Sequence, residues 1–433
     1  MTDKISVFWF RRDLRLSDNH GLFEALQSAE NVLPIFIFDT EILSKLENKE
    51  DKRVDFIVQV LQILNQFLEK SGKSIKILHG EPLNVFKELI ENYDIEKVFC
   101  NEDYEPQAIK RDDEIAQFFT EKNIGFQSFK DQVLFHKGDI LKSDGSPYTI
   151  YTPYSKQWLK MYSDEEEESY PSEKLLHHLL DVEKQEISLQ KIGFKKTTYQ
   201  FQAPAINREI LKNYHETRNF PSTPTSEMSV HLRFGTVSIR KLAAEARKLN
   251  ETYLKELIWR EFFMQILYHF PKVVTESFKR KYDHITWLYD GELLRKWQEG
   301  KTGYPLVDAG MRELNETGLM HNRVRMVCAS FFTKHLLMDW RIGEAYFAEK
   351  LLDYDLSANN GNWQWSAGTG CDSAPYFRVF NPEEQQKKFD PDFKYIKKWV
   401  KEFGTKDYPE PVVEHRFARL RALETYKKGL QDV

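Results

Sequence analysis

Several stretches of this chain hold polar and aromatic side chains at spacings that would gather them on one face of a helix. In Glu256-Leu257-Ile258-Trp259-Arg260-Glu261, a carboxylate, an indole and a guanidinium fall at i, i+3 and i+4. Such a face can hydrogen-bond the edge of a base and stack on its ring; the same spacing fits an ordinary ion pair beside a core tryptophan. In residues 320–326, Asn322, Arg325 and Met326 repeat the pattern with a donor–acceptor amide, a rigid cationic fork and a soft thioether. Arg323, on a neighbouring face, has the reach for a phosphate. Residues 352–365 crowd Asp353, Tyr354, Asp355, four amides, Trp363 and Trp365 together. A core reading accounts for these rings but leaves the amides in need of partners. If the stretch is helical, its two indoles point about 200° apart and serve different neighbours. A fourth stretch, Thr225-Ser226-Glu227-Met228-Ser229, offers hydroxyls and backbone N–H groups at a helix entrance. That suits either a phosphate or a plain N-cap.

The elements that position these groups can be read from periodicity. The chain has 433 residues, enough for about two or three domains. Short β-branched and aromatic runs at 5–10, 32–38, 75–78, 98–100 and 126–129 alternate with amphipathic stretches at 54–69, 83–92 and 107–122. This predicts a parallel sheet with helices on both faces. No glycine-rich dinucleotide or nucleotide-triphosphate loop follows any of the strands. Residues 131–200 read as an interdomain linker, with a turn at Asp144-Gly145-Ser146-Pro147 and a solvated acidic run at 164–168. From 201 onward the period is helical, as at 239–249, 254–268, 305–317, 323–337 and 343–352. The predicted organisation is an α/β domain over 1–131, a linker over 132–200 and a helical domain over 201–433.

Charge refines the choice of partner. A net charge of −5 argues against nucleic acid, but residues 198–433 hold 36 basic against 31 acidic side chains, so the acid surplus lies in the first half. An anionic partner for the second half is thereby permitted. The chain has 31 Phe, 20 Tyr and 9 Trp, enough rings to fill cores and also to stack on flat ligands. Cys100, Cys328 and Cys371 are far apart, which gives neither a disulfide framework nor a metal signature and suits a reducing cytoplasm. Neither a leader-like segment nor an apolar run of membrane-spanning length is read, so no membrane association is expected.

Val7-Phe8-Trp9-Phe10-Arg11-Arg12-Asp13-Leu14-Arg15-Leu16-Ser17-Asp18-Asn19 resembles the opening of the photolyase/cryptochrome family. So do residues 256–261, Gly300-Lys301-Thr302-Gly303-Tyr304-Pro305, residues 320–326 and 353–365, and Ala374-Pro375-Tyr376-Phe377-Arg378-Val379-Phe380-Asn381-Pro382. Within that family the resemblance is to class I cyclobutane pyrimidine dimer photolyases, and it covers nearly the whole chain. It implies a Rossmann-like antenna domain with a five-stranded parallel sheet, and an all-α domain holding FAD in a folded pose. Tyr214 and Thr225, Ser226, Glu227, Met228 and Ser229 match phosphate-side FAD contacts; Arg325, Asp353, Tyr354, Asp355 and Asn359 match contacts to the rest of the cofactor. Asn359 corresponds to the residue facing flavin N5. Trp363, Trp340 and Trp287 match a tryptophan chain that carries electrons from the surface. Glu256, Trp259, Arg260, Asn322, Met326 and Trp365 match the lesion pocket, and Arg218, Arg323, Arg378 and Gln385 the DNA strand. Glu105 resembles a folate contact, or is a helix N-terminal carboxylate; a second antenna chromophore, methenyltetrahydrofolate or a deazaflavin, is implied without its identity.

The implied reaction is a light-driven carbon–carbon lyase acting on UV-damaged DNA: an electron from excited reduced FAD enters a flipped-out cyclobutane dimer, the ring opens and the electron returns. The family also favours a monomer. The segment before Thr225, Phe220-Pro221-Ser222-Thr223-Pro224, is a residue shorter than the family pattern and lacks its glycine, and Glu227 stands where a basic residue is common. Three other readings are weighed. A photosensory cryptochrome would be expected to carry a long polar tail and an acid at 359. A (6-4) photolyase needs a histidine in the pocket where Met326 stands. A non-enzymatic aromatic-rich nucleic-acid binder leaves the 353–359 cluster without a role.

Overall fold

The computed structural model describes residues 4–164, 169–183, 185–186 and 188–431; residues 165–168 of the acidic run expected to be solvated linker lie outside the described residues. Contacts divide the chain into two compact units: residues 1–139, 161–206 and 227–245 form the first, and 140–160, 207–226 and 246–433 the second.

The first unit is built on five parallel strands, β1 (Ile5–Phe10), β2 (Val32–Asp39), β3 (Lys76–Gly80), β4 (Ile95–Asn101) and β5 (Gly125–Phe129), in the order β3-β2-β1-β4-β5. They fall where the β-branched and aromatic runs predict them. All six residues of β1 are buried, as befits a central strand covered on both faces. Helices start at side-chain caps, Asn19 before His20–Ser28 and Asp51 before Lys52–Leu68. The strand order reverses between β1 and β4. There the Asn101 side chain accepts from the Gly21 amide at 2.9 Å and donates to Asn19 at 2.8 Å.

Residues 227–245, helical by sequence and assigned there to the second domain, pack with the sheet instead. Gly235 explains how the chain comes so close. Its φ of +64° suits glycine, and a Cβ there would stand 2.1 Å from the Arg12 carbonyl oxygen. Beside it, Arg15 and Arg240 both donate to the buried carboxylate of Asp131, at 2.7 and 2.9 Å. Burial alone would raise the Asp131 carboxyl, but Arg15 and Arg240 hold it below the usual carboxylate range. Asp131→Ala leaves two guanidinium groups without this buried partner and should lower the unfolding free energy by about 3–5 kcal/mol, read from a urea midpoint. Because the folded pKa is depressed, the carboxylate's contribution is present above about pH 4 and is lost as pH falls through the folded value.

The second unit is helical. Its pocket-forming helices also begin at side-chain caps: Asn250 for Glu251–His269, His321 for Asn322–Ser330, Asp339 for Trp340–Lys350 and Asp355 for Leu356–Ala367. They enclose a core that includes Trp297, Phe332, Trp340, Phe347 and Trp363. The helix Tyr151–Asp164 lies within the stretch read from sequence as linker. Its first turns carry Tyr151, Tyr154 and Trp158 at i, i+3 and i+7, an aromatic stripe of helical period. Tyr154 and Trp158 donate to the buried carboxylate of Glu261, at 3.2 and 2.8 Å. That polar anchor lies 103 residues from Trp158, so the sequence does not show what the stripe is held by.

Candidate active site

Two of the sequence clusters, residues 320–326 and 352–365, converge on one pocket. Asn322, Arg325, Met326, Asp353, Asp355, Asn359 and Trp363 all line it, with Phe347, Leu351, Ala329 and Ala358 as apolar wall. Arg325 holds Asp353 through one nitrogen, at 2.8 and 3.1 Å to the two carboxylate oxygens, while its Nε donates to the Met320 carbonyl at 2.7 Å. The guanidinium is thereby fixed in plane, which suits recognition of a flat ring edge. Asp355 lines the pocket and also caps the Leu356–Ala367 helix, accepting from the Ala358 amide and the Ser357 hydroxyl. Tyr354 turns its ring into the hydrophobic core.

Asn359 is oriented by a residue that sequence reasoning missed. Its amide nitrogen donates to the Glu344 side chain at 2.8 Å and to the Glu344 carbonyl at 3.1 Å. Both protons are engaged, so the amide oxygen is left to the pocket as an acceptor. Burial pushes the Glu344 carboxyl up, and the hydrogen bond from Asn359 opposes it. No local pattern marks Glu344, because its partner sits on a different helix. The neighbouring Gly343 permits the close approach of that helix: a Cβ there would meet the Trp363 ring at 2.2 Å.

A second cluster surrounds Glu256. Arg218 donates to it at 2.6 Å. Burial raises the Glu256 carboxyl and Arg218 pulls it down. Tyr214 packs edge-on against Tyr253 at 5.0 Å, and the Tyr253 hydroxyl lies 2.9 Å from that of Ser226. Burial pushes the Tyr253 phenol up to about 12. Tyr253, one turn before Glu256, is thus a further member that sequence reasoning missed. Trp259 stacks face to face on Tyr151 at 3.6 Å, with Arg260 half-buried after it. Trp365 is half-buried on the Leu356–Ala367 helix, whereas Trp363 is fully buried, so the two indoles do serve different surroundings.

The strand-side residues gather positive charge. Arg323 donates to Asn219 at 2.7 Å and lies over Phe389 at 4.4 Å. Burial and then the charges of Arg218 and Arg378 hold its pKa below the ordinary arginine value. Three mutually repelling guanidiniums favour an anion among them. Arg378 is exposed, and the Gln385 side-chain carbonyl is buried without a partner. His321 is neutral at physiological pH: burial, Arg325 and Arg323 push it down to about 4, and its Nδ1 is committed as cap acceptor for the Arg323 amide.

Other sequence candidates lie in the first unit. Glu227 adopts φ +53° immediately before the Met228–Phe234 helix and makes no side-chain cap, so the plain N-cap alternative is not what is built there. Ser229 follows within that helix. Glu105 precedes the Pro106–Glu121 helix and also makes no cap bond. Instead it bridges Arg12 at 2.8 Å and Arg233 at 2.9 Å.

The pocket's planar cation–carboxylate pair, the oriented amide acceptor of Asn359 and the apolar wall fit a flat heteroaromatic cofactor of the flavin type. A parallel α/β sheet unit accompanied by a helical flavin pocket defines the class of protein. Comparison with known proteins narrows it. A family model described as DNA photolyase matches residues 6–172, and one described as the FAD binding domain of DNA photolyase matches residues 253–405. A deoxyribodipyrimidine photo-lyase of Alkalihalophilus pseudofirmus is 34% identical over 480 aligned positions covering 98% of each chain. The crystal structure of a bacterial class III photolyase from Agrobacterium tumefaciens superposes with a TM-score of 0.86 at 30% identity, over 100% of this chain and 98% of that one. An archaeal photolyase from Sulfolobus tokodaii, solved with two FAD molecules, gives 0.81 at 33% identity, over 98% of this chain and all of that one. The chain belongs to the photolyase/cryptochrome family, and its cofactor is FAD.

Proposed function

We propose that the protein is a deoxyribodipyrimidine photo-lyase, of class I by the resemblance of its motifs, acting on cyclobutane pyrimidine dimers in UV-damaged DNA. The observation that carries the reading is a shared wall. Asn322 and Met326, matched to the lesion, line the same pocket as Arg325, Asp353, Asp355 and Asn359, matched to the flavin. Donor and lesion would therefore lie side by side. Reduced FAD, when bound, supplies the light-excited electron. The chain's own residues bind and orient. Arg325 and Asp353 grip the ring edge, Asn359 presents an acceptor, and Tyr214 with residues 225–229 is assigned to the phosphates on the resemblance.

Glu256 hydrogen-bonds the pyrimidine edge, and Trp259 and Trp365 stack against the extruded lesion, whose weakened stacking lowers the cost of flipping. Met326 in the pocket speaks against (6-4) chemistry, which needs a proton-transferring histidine at that place. An antenna chromophore in the α/β unit, with Glu105 beside it, a monomeric state and a cytoplasmic location complete the proposal. The deciding experiment follows thymine absorbance of an oligonucleotide with one thymine dimer, mixed with pre-reduced protein. Recovery under blue light but not in the dark is expected; no recovery with reduced FAD present would refute the reading.

Arg218, Arg323 and Arg378 should act on affinity rather than on lesion choice. Arg323→Ala or Arg378→Ala is expected to flatten the dependence of log K on log salt by about 0.9 each. Damaged and undamaged DNA should lose affinity alike, as read by fluorescence anisotropy across a salt series.

A further inference from the structure

Tyr151 belongs to the stretch read from sequence as linker, yet its ring is parallel to that of Trp259, 4° from coplanar orientation with centroids 3.6 Å apart. This is a close face-to-face stack. One face of the Trp259 indole is therefore closed. Phe263, one helical turn on, flanks the same indole at 5.5 Å.

The tyrosine is pinned at both ends. Its hydroxyl donates to the Lys255 carbonyl at 2.9 Å, one turn before Trp259 on the same helix. Its backbone amide donates to the Asp372 carboxylate at 2.9 Å. Asp372 lies a few residues before Arg378, on the segment that follows Trp365. Behind Tyr151, the next two turns of its helix are held by Tyr154 and Trp158 on Glu261. To swing aside, the ring must give up its stack on Trp259 and its hydroxyl bond to the Lys255 carbonyl, on the helix that carries Trp259.

We propose that Tyr151 is a positioning residue for lesion recognition, a fixed platform that sets the plane of Trp259. Through Asp372 it ties that plane to the segment carrying Arg378. The inference rests on the lesion-site reading of Trp259. A mobile tyrosine would be a plug that the flipped base displaces; the double tether makes Tyr151 a backing instead. The two roles predict opposite effects of removing the ring. A platform orders an indole that would otherwise sample several rotamers, so its loss weakens stacking on the lesion.

The test uses the full-length, FAD-loaded protein and two matched oligonucleotides, one with a single thymine dimer and one undamaged. Tyr151→Leu is expected to weaken dimer binding about three- to tenfold, the value of an aromatic stack, with undamaged-DNA affinity and FAD content unchanged. Tyr151→Phe retains the ring and is expected to bind the dimer within about twofold of the parent. Unchanged or tighter dimer binding by Tyr151→Leu would overturn the proposal. If Tyr151→Leu fails to fold, loss of dimer affinity in Tyr151→Phe would do the same, because the stack would then not be what matters. Trp259→Ala separates the two levels. Weakened dimer binding there with none in Tyr151→Leu sinks the platform alone, whereas no effect of Trp259→Ala sinks the lesion-site reading and the platform with it.

Discussion

Asp353→Ala yields a protein purified without its yellow colour. The Asp353 carboxylate is only 3% exposed and forms an ion pair with Arg325, whose guanidinium is otherwise tied to the Met320 carbonyl. Removing the carboxylate strands a half-buried cation on the pocket wall and frees it to turn away from the ring edge. Breaking a buried pair by deleting one member costs about 3–5 kcal/mol. Expressed as lost cofactor affinity, that is roughly a 10²- to 10⁴-fold weakening. The absorbance ratio of the purified protein at 450 and 280 nm reads it directly. Asp353→Asn, which keeps an acceptor, should lose less. Glu256→Ala and Met326→His provide the contrast: both should lower dimer repair while the flavin stays bound. If either loses flavin to the same extent as Asp353→Ala, the division between cofactor and lesion sides of the pocket is wrong.

Why some of this was legible in the sequence and some was not comes down to the distance between partners. The strands could be read because a central parallel strand is buried on both faces, so β1 is apolar almost end to end. The faces built on Glu256 and Asn322 could be read because helical period brings their members together within one element. Glu344, Tyr253 and Tyr151 could not be read that way. Each acts through a partner on another element, and nothing local distinguishes Glu344 from any solvated acid of an amphipathic helix. Residues 227–245 mislead for a related reason. Their helical period is real, but period says nothing of which core a helix joins. That was decided by Gly235 and by the buried Arg240–Asp131 contact. Glu105 shows what a single-residue match leaves out: its carboxylate bridges Arg12 and Arg233, a pairing invisible until the chain is folded.

Trp287→Phe should abolish light-driven reduction of the oxidised protein and leave repair by chemically reduced protein intact. The three indoles differ in surroundings along one hydrophobic core. Trp363 lines the pocket, Trp340 is fully buried, and Trp287 is a half-buried ring at the core's margin, edge-on to Tyr426 at 5.8 Å. The indole N–H groups of Trp363 and Trp340 are buried and have no acceptor. An oxidised indole at either position therefore has no base to which it can pass its proton, and the missing electron is readily refilled from the pocket side. Arg341, stacked on Trp340 at 4.8 Å, adds a positive charge that disfavours a lasting hole there. Only Trp287, with access to solvent, can hold the hole long enough for an external reductant to fill it. Phenylalanine keeps the packing and is too hard to oxidise to replace it. Bleaching at 450 nm under blue light with a thiol present should then fall to background, while thymine recovery after dithionite reduction matches the parent, since ring splitting draws on the pocket and not on the chain. Equal loss of both activities would mean that Trp287 supports the fold of the site rather than the passage of electrons. Undiminished bleaching would mean that electrons enter by another route, for which Trp297, edge-on to Trp363 at 6.2 Å and 5.6 Å from the half-buried Tyr346, is the first residue to replace.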